Sequence, residues 1–389
     1  MKKSYLALAV AALAATSIAS TASAATVYDK DGNSLAVYGR VQSVIYSDKT
    51  GNVSNEETTL MTSGRLGVDM RSQITNGVAA FAKAEWEAAN GDAHGESTFT
   101  ARYLWVGLDF GQFGSFKAGR FEPAMKYAIS QTDIFDDWGG TGLAGNDDKR
   151  DGTFQYMWSG NGLDIIASLS LAKDGTHIDG AYANGETADM SNTFSFAAGY
   201  TSPDVVFGPI AVRAGFEHGT FADGEVMNGI NVAGYQNQIK GTQLRYDDYN
   251  QYAVGLSWGS LDLGPYVAAL YQSRDFSTAA VPNAPQGTET VDMTLTGYEF
   301  AVGYSLPNGI ALRTGFMTKE YEVGSDKVKA ATVPVYANWQ LNPQFNVWAE
   351  ARFDAGTDNE LTADGKNFAL ATGEVYDENV FSAGMRYVF

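Results

Sequence analysis

Taken two residues at a time, the chain alternates. Residues 34–47, SLAVYGRVQSVIYS, place Leu35, Val37, Val41 and Ile45 on one face and Tyr38, Arg40, Gln42 and Tyr46 on the other. A period of two is the mark of a strand with one apolar and one polar side. The same pattern returns at 60–74, 78–89, 98–110, 114–121, 153–159, 163–173, 193–201, 210–219, 249–258, 261–274, 293–305, 310–323, 327–340, 344–355 and 379–389, sixteen segments in all. Their connections alternate in length. Short ones fall at 75–77, 111–113, 160–162, 259–260, 307–309 and 342–343, and long polar ones at 48–59, 174–192, 220–248, 277–292 and 356–378. Asn76-Gly77 is a strong hairpin signal, because both positions tolerate positive φ. Short turns at one end and long loops at the other predict an all-β fold, a 16-stranded antiparallel transmembrane β-barrel. The last segment, ending Tyr387-Val388-Phe389, is expected to pair with 34–47 and leave no open edge.

One interruption is of another kind. Between GSFKAGRF and DGTFQYMWSG runs a stretch from Arg120 to Arg150 whose centre reads TDIFDDWGGTG. Connections longer than ~12–15 residues are usually functional or disordered. This one has Ile134, Phe135 and Trp138 to pack with, Gly139-Gly140 to turn on, and the carboxylates Asp133, Asp136 and Asp137. A structured loop with clustered acids, in a chain of strands, predicts a constriction held inside the barrel.

Composition narrows the setting. Lys2 and Lys3, an apolar stretch over 6–15 and Ala22-Ser23-Ala24 read as a cleaved secretory signal over 1–24, leaving one barrel domain over 25–389. No run approaches the ~18 apolar residues of a membrane helix. There is no cysteine, so neither disulfides nor thiolate metal sites are available, and extensive backbone pairing must hold the fold. The formal charge is −19, from 26 basic and 45 acidic residues. Without Lys2 and Lys3 the balance becomes 24 against 45, a charge of −21, a poor surface for nucleic acid. The 43 glycines, 21 tyrosines and 21 phenylalanines fit many strands with aromatic girdles.

Candidate chemistry follows from where charges fall. Arg40, Arg65 and Arg102 sit mid-strand, where they face either lipid or lumen. An arginine toward the bilayer midplane of a barrel costs about 2–4 kcal/mol, so the lumen is expected. Opposed carboxylates would then set a transverse field across a water-filled gap. The alternative is that the arginines only pair with acids and stiffen the wall. The D-x-x-D-D spacing of the loop also resembles a hard-cation cluster, but no EF-hand spacing with a closing glutamate is present. Trp86, Trp105, Trp158, Trp258, Trp339 and Trp348 read as interfacial girdle ahead of a sugar-binding track. For catalysis the chain offers His94, His177 and His218, but no G-x-S-x-G elbow or H-E-x-x-H pair, so neither an enzyme nor a cofactor is expected.

Several stretches resemble a family. VYDKDGNSLAVYGR is similar to a first strand, SGRLGVDM to a second, GSFKAGRF to a fifth and TDIFDDWGG to a constriction loop, in the order found in the enterobacterial-type trimeric general-diffusion porins of Gram-negative bacteria. The resemblance covers essentially all of 25–389 and is densest from 27 to about 160. It implies sixteen strands, three barrels per assembly, and a long third loop folded into each lumen, its acids facing a basic ladder. Residue by residue, the acids fall on Asp133 and Asp137, and the ladder on Arg40, Arg65 and Arg102, with Arg120 in the family's GR position and Arg150 a further member. Tyr387 and Phe389 match the closing signal read by the barrel assembly machinery. Two departures stand out: Asp136 replaces the family's proline, and residues 90–97 are shorter than the latch loop that reaches a neighbouring subunit, with Glu96 in question as its glutamate.

The expected function is a passive outer-membrane channel for small hydrophilic solutes and ions, mildly cation-preferring, with lipopolysaccharide and outer-membrane lipid around it. No phosphate-binding loop appears, so solutes would move down their gradients. The alternatives are a substrate-selective porin and a surface barrel that only displays acidic loops.

Overall fold

The computed structural model describes residues 24–47, 58–90, 98–145, 149–178, 187–223, 225–227, 244–279, 293–323, 326–357, 360–361, 366–367, 376 and 378–389. The expected signal segment, the long external connections and the shortened latch loop lie largely or wholly outside these residues, and so does His94.

Sixteen long strands carry the barrel: β1 Asn33–Tyr46, β2 Thr59–Thr75, β3 Val78–Asn90, β4 Thr98–Asp109, β5 Ser115–Phe121, β6 Arg150–Gly160, β7 Leu163–Ser170 and β8 Ala188–Val205. They continue with β9 Gly208–Phe221, β10 Leu244–Gly259, β11 Gly264–Ala279, β12 Met293–Ser305, β13 Ile310–Val323, β14 Asp326–Asn342, β15 Phe345–Asp354 and β16 Val380–Val388. Each pairs antiparallel with its sequence neighbours, as in Thr75↔Val78 across Asn76-Gly77. Three short pieces, Ala25–Lys30, Lys173–Thr176 and Val226–Met227, extend the same sheet. Strands such as Ala188–Val205 and Leu244–Gly259 run beyond the alternating stretches that predicted them. Backbone pairing does not itself need an apolar face, so a strand can continue where the alternation stops.

The sheet closes as expected. Arg40 pairs with Val388 and Tyr46 with Ser382, and Gly39 and Phe389 exchange both backbone hydrogen bonds at 2.9 and 3.0 Å. Alternation sorts the side chains. On β12, Tyr298, Phe300 and Tyr304 are exposed on the outer face, while Leu295, Glu299 and Ala301 are buried on the inner one. On β1, Val41 and Ile45 point out, and Gln42, Val44 and Tyr46 point in and are buried. The inner face also buries Glu217, Arg274, Lys319 and Glu350. Trp158 and Trp258 sit at the short-turn end and donate to the Gln112 and Val205 carbonyls at 3.0 and 2.8 Å, as girdle residues do. Trp348 is different: it is buried inside.

The seam yields a test. A Cβ on Gly39 would stand 2.5 Å from the Arg65 carbonyl oxygen and 2.6 Å from the Phe389 ring. Backbone cannot give way as a flexible side chain does, so Gly39→Ala should destabilise the closed barrel by about 1–3 kcal/mol. Heat-modifiability on unboiled gels should show a lower unfolding midpoint. An unchanged midpoint would mean that the seam relaxes without cost.

Candidate functional site

The long connection leaves β5 at Phe121. Pro123 removes a backbone donor, the ladder stops, and a single helical turn follows, α1 Met125–Ile129. Its Met125, Ala128 and Ile129 pack with Leu143, Ala253 and Leu270, and its Tyr127 packs with Ile166 and Ala197. The chain then runs along the inner faces of successive strands, which catch its backbone. The Ala124 amide donates to Ser168 and Ser195 at 2.9 and 3.1 Å. Tyr266 donates to the Gln131 carbonyl at 2.7 Å, and Glu299 accepts the Gly142 amide at 2.8 Å. Gln272 donates to the Gly142 carbonyl. Gly297 makes this approach possible, because a Cβ there would collide with that carbonyl.

The tip, residues 136–138, is held most tightly. One Glu350 carboxylate accepts three consecutive amides, Asp136 at 3.0 Å, Asp137 at 2.9 Å and Trp138 at 2.6 Å. Trp138 sits edge-on to Tyr46, at 5.6 Å between ring centroids, in a cluster with Val44, Tyr336 and Trp348. Asp137 accepts Tyr46 Oη at 3.0 Å, Trp348 Nε1 at 2.8 Å and Ser382 Oγ at 2.6 Å. Asp136 turns the other way, to Arg386 at 2.8 Å and Tyr336 Oη at 2.7 Å. Asp133 pairs within the loop with Lys126 at 2.8 Å. The three acids thus have separate partners and do not converge.

Wall arginines stand across from the loop. Arg40 on β1 and Arg65 on β2 are register partners, a repulsive placement. Glu87 lies opposite Arg65 and resolves it, meeting Arg65 at 2.7 Å, Arg102 at 2.8 Å and Arg40 at 3.9 Å. Glu85 adds a second contact to Arg102 at 3.1 Å. A cavity of about 840 Å³ is lined by the wall residues Arg40, Arg65, Arg102 and Arg386 and by the loop residues Glu122, Asp133, Ile134, Phe135 and Asp136. It continues to the short-turn end, reaching 261–263 and 306–307.

Of the residues singled out from the sequence, Arg40, Arg65, Arg102, Asp133 and Asp136 line this cavity, and Asp137, Arg120 and Arg150 do not. The expectation that Asp137 faces the arginines gives way to a structural anchor, because its side chain points to the wall behind the tip. The proline-replacing Asp136 takes the inward place. Arg120 is drawn aside to Asp151 at 3.3 Å and to the Ala101 carbonyl at 3.1 Å. Arg150 is buried against Glu217 at 2.8 Å, and Tyr249 donates to the same carboxylate at 2.8 Å. Glu85, Glu87, Glu350, Arg386 and Arg313 were not anticipated. The mid-strand rule that singled out the arginines applies equally to all five, and an acid in a strand carries the same demand for an inner face.

Burial disfavours the charge on both tip acids, and neighbours decide the outcome. At Asp136, Arg386 and the Tyr336 hydroxyl outweigh burial and hold the carboxyl below the usual aspartate range. At Asp137 burial prevails over the Ser382 and Trp348 donors, Asp136 adds repulsion, and the carboxyl is pushed up.

Comparison with known proteins gives a consistent picture. A family model described as Gram-negative porin matches residues 9–325. Outer membrane porin C of Serratia marcescens is 26% identical over 408 aligned residues, with 100% of both chains covered. Among solved structures, Salmonella typhi OmpF in complex with daunomycin is similar with a TM-score of 0.69 at 17% identity, over 94% of this chain and 100% of that one. In-vitro folded OmpT of Vibrio cholerae in its trimer form gives 0.61 at 15% identity, over 92% and 100%.

The two tip acids should respond oppositely to pH. Asp136 contributes stability above the ordinary aspartate range and loses it as pH falls through its lowered value. Asp137 contributes most at low pH and loses that as pH rises through its raised value. At neutral pH Asp136→Asn should therefore cost more than Asp137→Asn, about 2 kcal/mol for the Arg386 bond. The difference should shrink on acidification. Thermal unfolding of both variants across pH reads it, and equal losses at every pH would contradict the assignment.

Proposed function

Because the chain belongs to the Gram-negative porins, and so is an outer-membrane β-barrel diffusion channel and not an enzyme, we propose that its selective step is the cavity between the loop residues 122–145 and the wall arginines. In this reading the loop stands in the lumen and sets the size limit, and small hydrophilic solutes and ions pass it passively and hydrated. One observation supports this above others: Asp133 and Asp136 line the same cavity as Arg40, Arg65, Arg102 and Arg386. Opposite charges across a narrow aqueous gap orient dipolar solutes and admit both signs of ion.

The filter is nearly balanced. Glu85 and Glu87 stand behind the arginines, so the ladder acts as a paired array and not as a bare positive wall. A mild cation preference then comes from the acid excess of the whole chain, −21 over residues 25–389. Screening beyond ~8–10 Å keeps it mild at physiological salt. Three such barrels per assembly, the assembly machinery reading Tyr387 and Phe389, and lipopolysaccharide bridged through divalent cations on acidic loops complete the proposal. The trimer form of the structurally similar Vibrio cholerae protein supports the first of these.

Planar-bilayer recording tests it. Purified protein should give large ohmic steps that close in threes, with potassium preferred to chloride in a salt gradient. Asp133→Asn/Asp136→Asn should lower that preference by roughly twofold per carboxylate, the effect of a unit charge acting through water from about 10 Å. Unchanged selectivity would move the filter elsewhere, and folded protein without steps would overturn the channel reading.

A further inference from the structure

We propose that the cavity wall at Arg313, beside Leu261 and Phe135, is a binding subsite for small organic anions that carry an apolar body, such as aromatic carboxylates. The inference deepens the channel reading and rests on it. It starts from a charge that the cavity leaves unbalanced. Arg40, Arg65 and Arg102 meet Glu85 and Glu87, Arg386 meets Asp136, and Lys126 meets Asp133. Arg313, on β13, lines the same cavity and forms no ion pair among the described residues. One terminal nitrogen donates to the Ile134 carbonyl, the guanidinium lies over the Tyr336 ring at 5.0 Å, and its Nε is buried without a partner. Asp136 meets the same Tyr336 through the hydroxyl but is committed to Arg386. Of the other lining acids, Glu122 is paired with Lys149 at 3.3 Å, and Asp262 is on an exposed turn where water screens it. A guanidinium fixed in place, with donors to spare and a low-dielectric wall behind it, attracts a carboxylate.

The surroundings select the rest of the ligand. Ile134 is packed against Ala268, Ala301 and Tyr266, with Phe135 and Leu261 at the margin of the same cluster. Leu261 and Phe135 line the cavity together with Arg313. A carboxylate accepting from Arg313 would lay an attached ring against Leu261 and Phe135. Acetate offers the charge without the body, and an aromatic ammonium offers the body with the wrong charge.

The experiment is current block in planar bilayers, with phenylacetate, acetate and phenethylammonium added in turn. Phenylacetate should interrupt the current in a saturable way, with acetate and phenethylammonium far weaker. Arg313→Gln should weaken the phenylacetate block at least about tenfold, as loss of a charge-assisted hydrogen bond does. Arg313→Lys should retain most of it. Because Arg313 also touches the loop, Leu261→Asn is the second probe: it removes the apolar side of the subsite without changing Arg313, and should abolish the preference for phenylacetate over acetate. A conducting channel that phenylacetate does not block, or blocks equally in wild type, Arg313→Gln and Leu261→Asn, overturns the subsite and leaves the channel reading standing. Equal block by phenethylammonium overturns the anion assignment. Loss of all conductance in the wild type would instead overturn the channel reading itself.

Discussion

A backbone that crosses hydrocarbon cannot leave an N–H or C=O unpaired, because no water is there to take its place. A single strand or an open sheet fails that condition at its edges, and a sheet whose last strand bonds its first does not. The two-way exchange between Gly39 and Phe389, and the register from Arg40↔Val388 to Tyr46↔Ser382, is where this chain meets it. Closure has a second effect. It divides the molecule into an outer face that must be apolar and an inner face that can hold every charge the strands carry.

The inner face then has its own constraint, since charges taken from bulk water have to be paired. Glu87 serves three arginines and Glu217 takes Arg150. Glu350 is used differently, with its two carboxyl oxygens turned on three consecutive backbone amides. Captured in this way, the loop tip needs no secondary structure of its own. Asp137 adds three neutral donors from β1, β15 and β16, so the tip is fixed to the strands that close the barrel. Seam and loop position are therefore coupled: what holds the first strand to the last also holds the loop against both.

Sixteen strands, their order and their closure were legible because period-two alternation is a direct imprint of the two-faced wall. The inward placement of Arg40, Arg65 and Arg102 was legible for the same reason, through the cost of the opposite choice. Which carboxylate meets which cation was not, because alternation sets a face and leaves partner and height along the strand open. Asp136 and Asp137 are neighbours in sequence, yet one faces Arg386 and the other Tyr46, Trp348 and Ser382. The path of the loop did leave a trace. Gly199, Gly215, Gly255 and Gly297 interrupt four strands, and each lies against a residue of the loop. Glycine inside a strand signals the close approach of another backbone. Four of them on the inner face mark where the loop passes.

Charge balance inside the cavity separates two properties that net charge alone would merge. A chain at −19 overall could be read as a cation filter throughout. Yet around the cavity Glu85, Glu87, Asp133 and Asp136 pair with Arg40, Arg65, Arg102, Arg386 and the loop's Lys126, so in the proposed filter an ion would meet paired charges at short range and the acid excess at long range. Long-range charge is screened by salt and affects all small ions alike. Short-range geometry is not screened in this way and acts on shape. Preference among simple ions should thus follow ionic strength, while preference among larger solutes should follow local features such as the loop, the apolar patch around Ile134 and an arginine without a carboxylate.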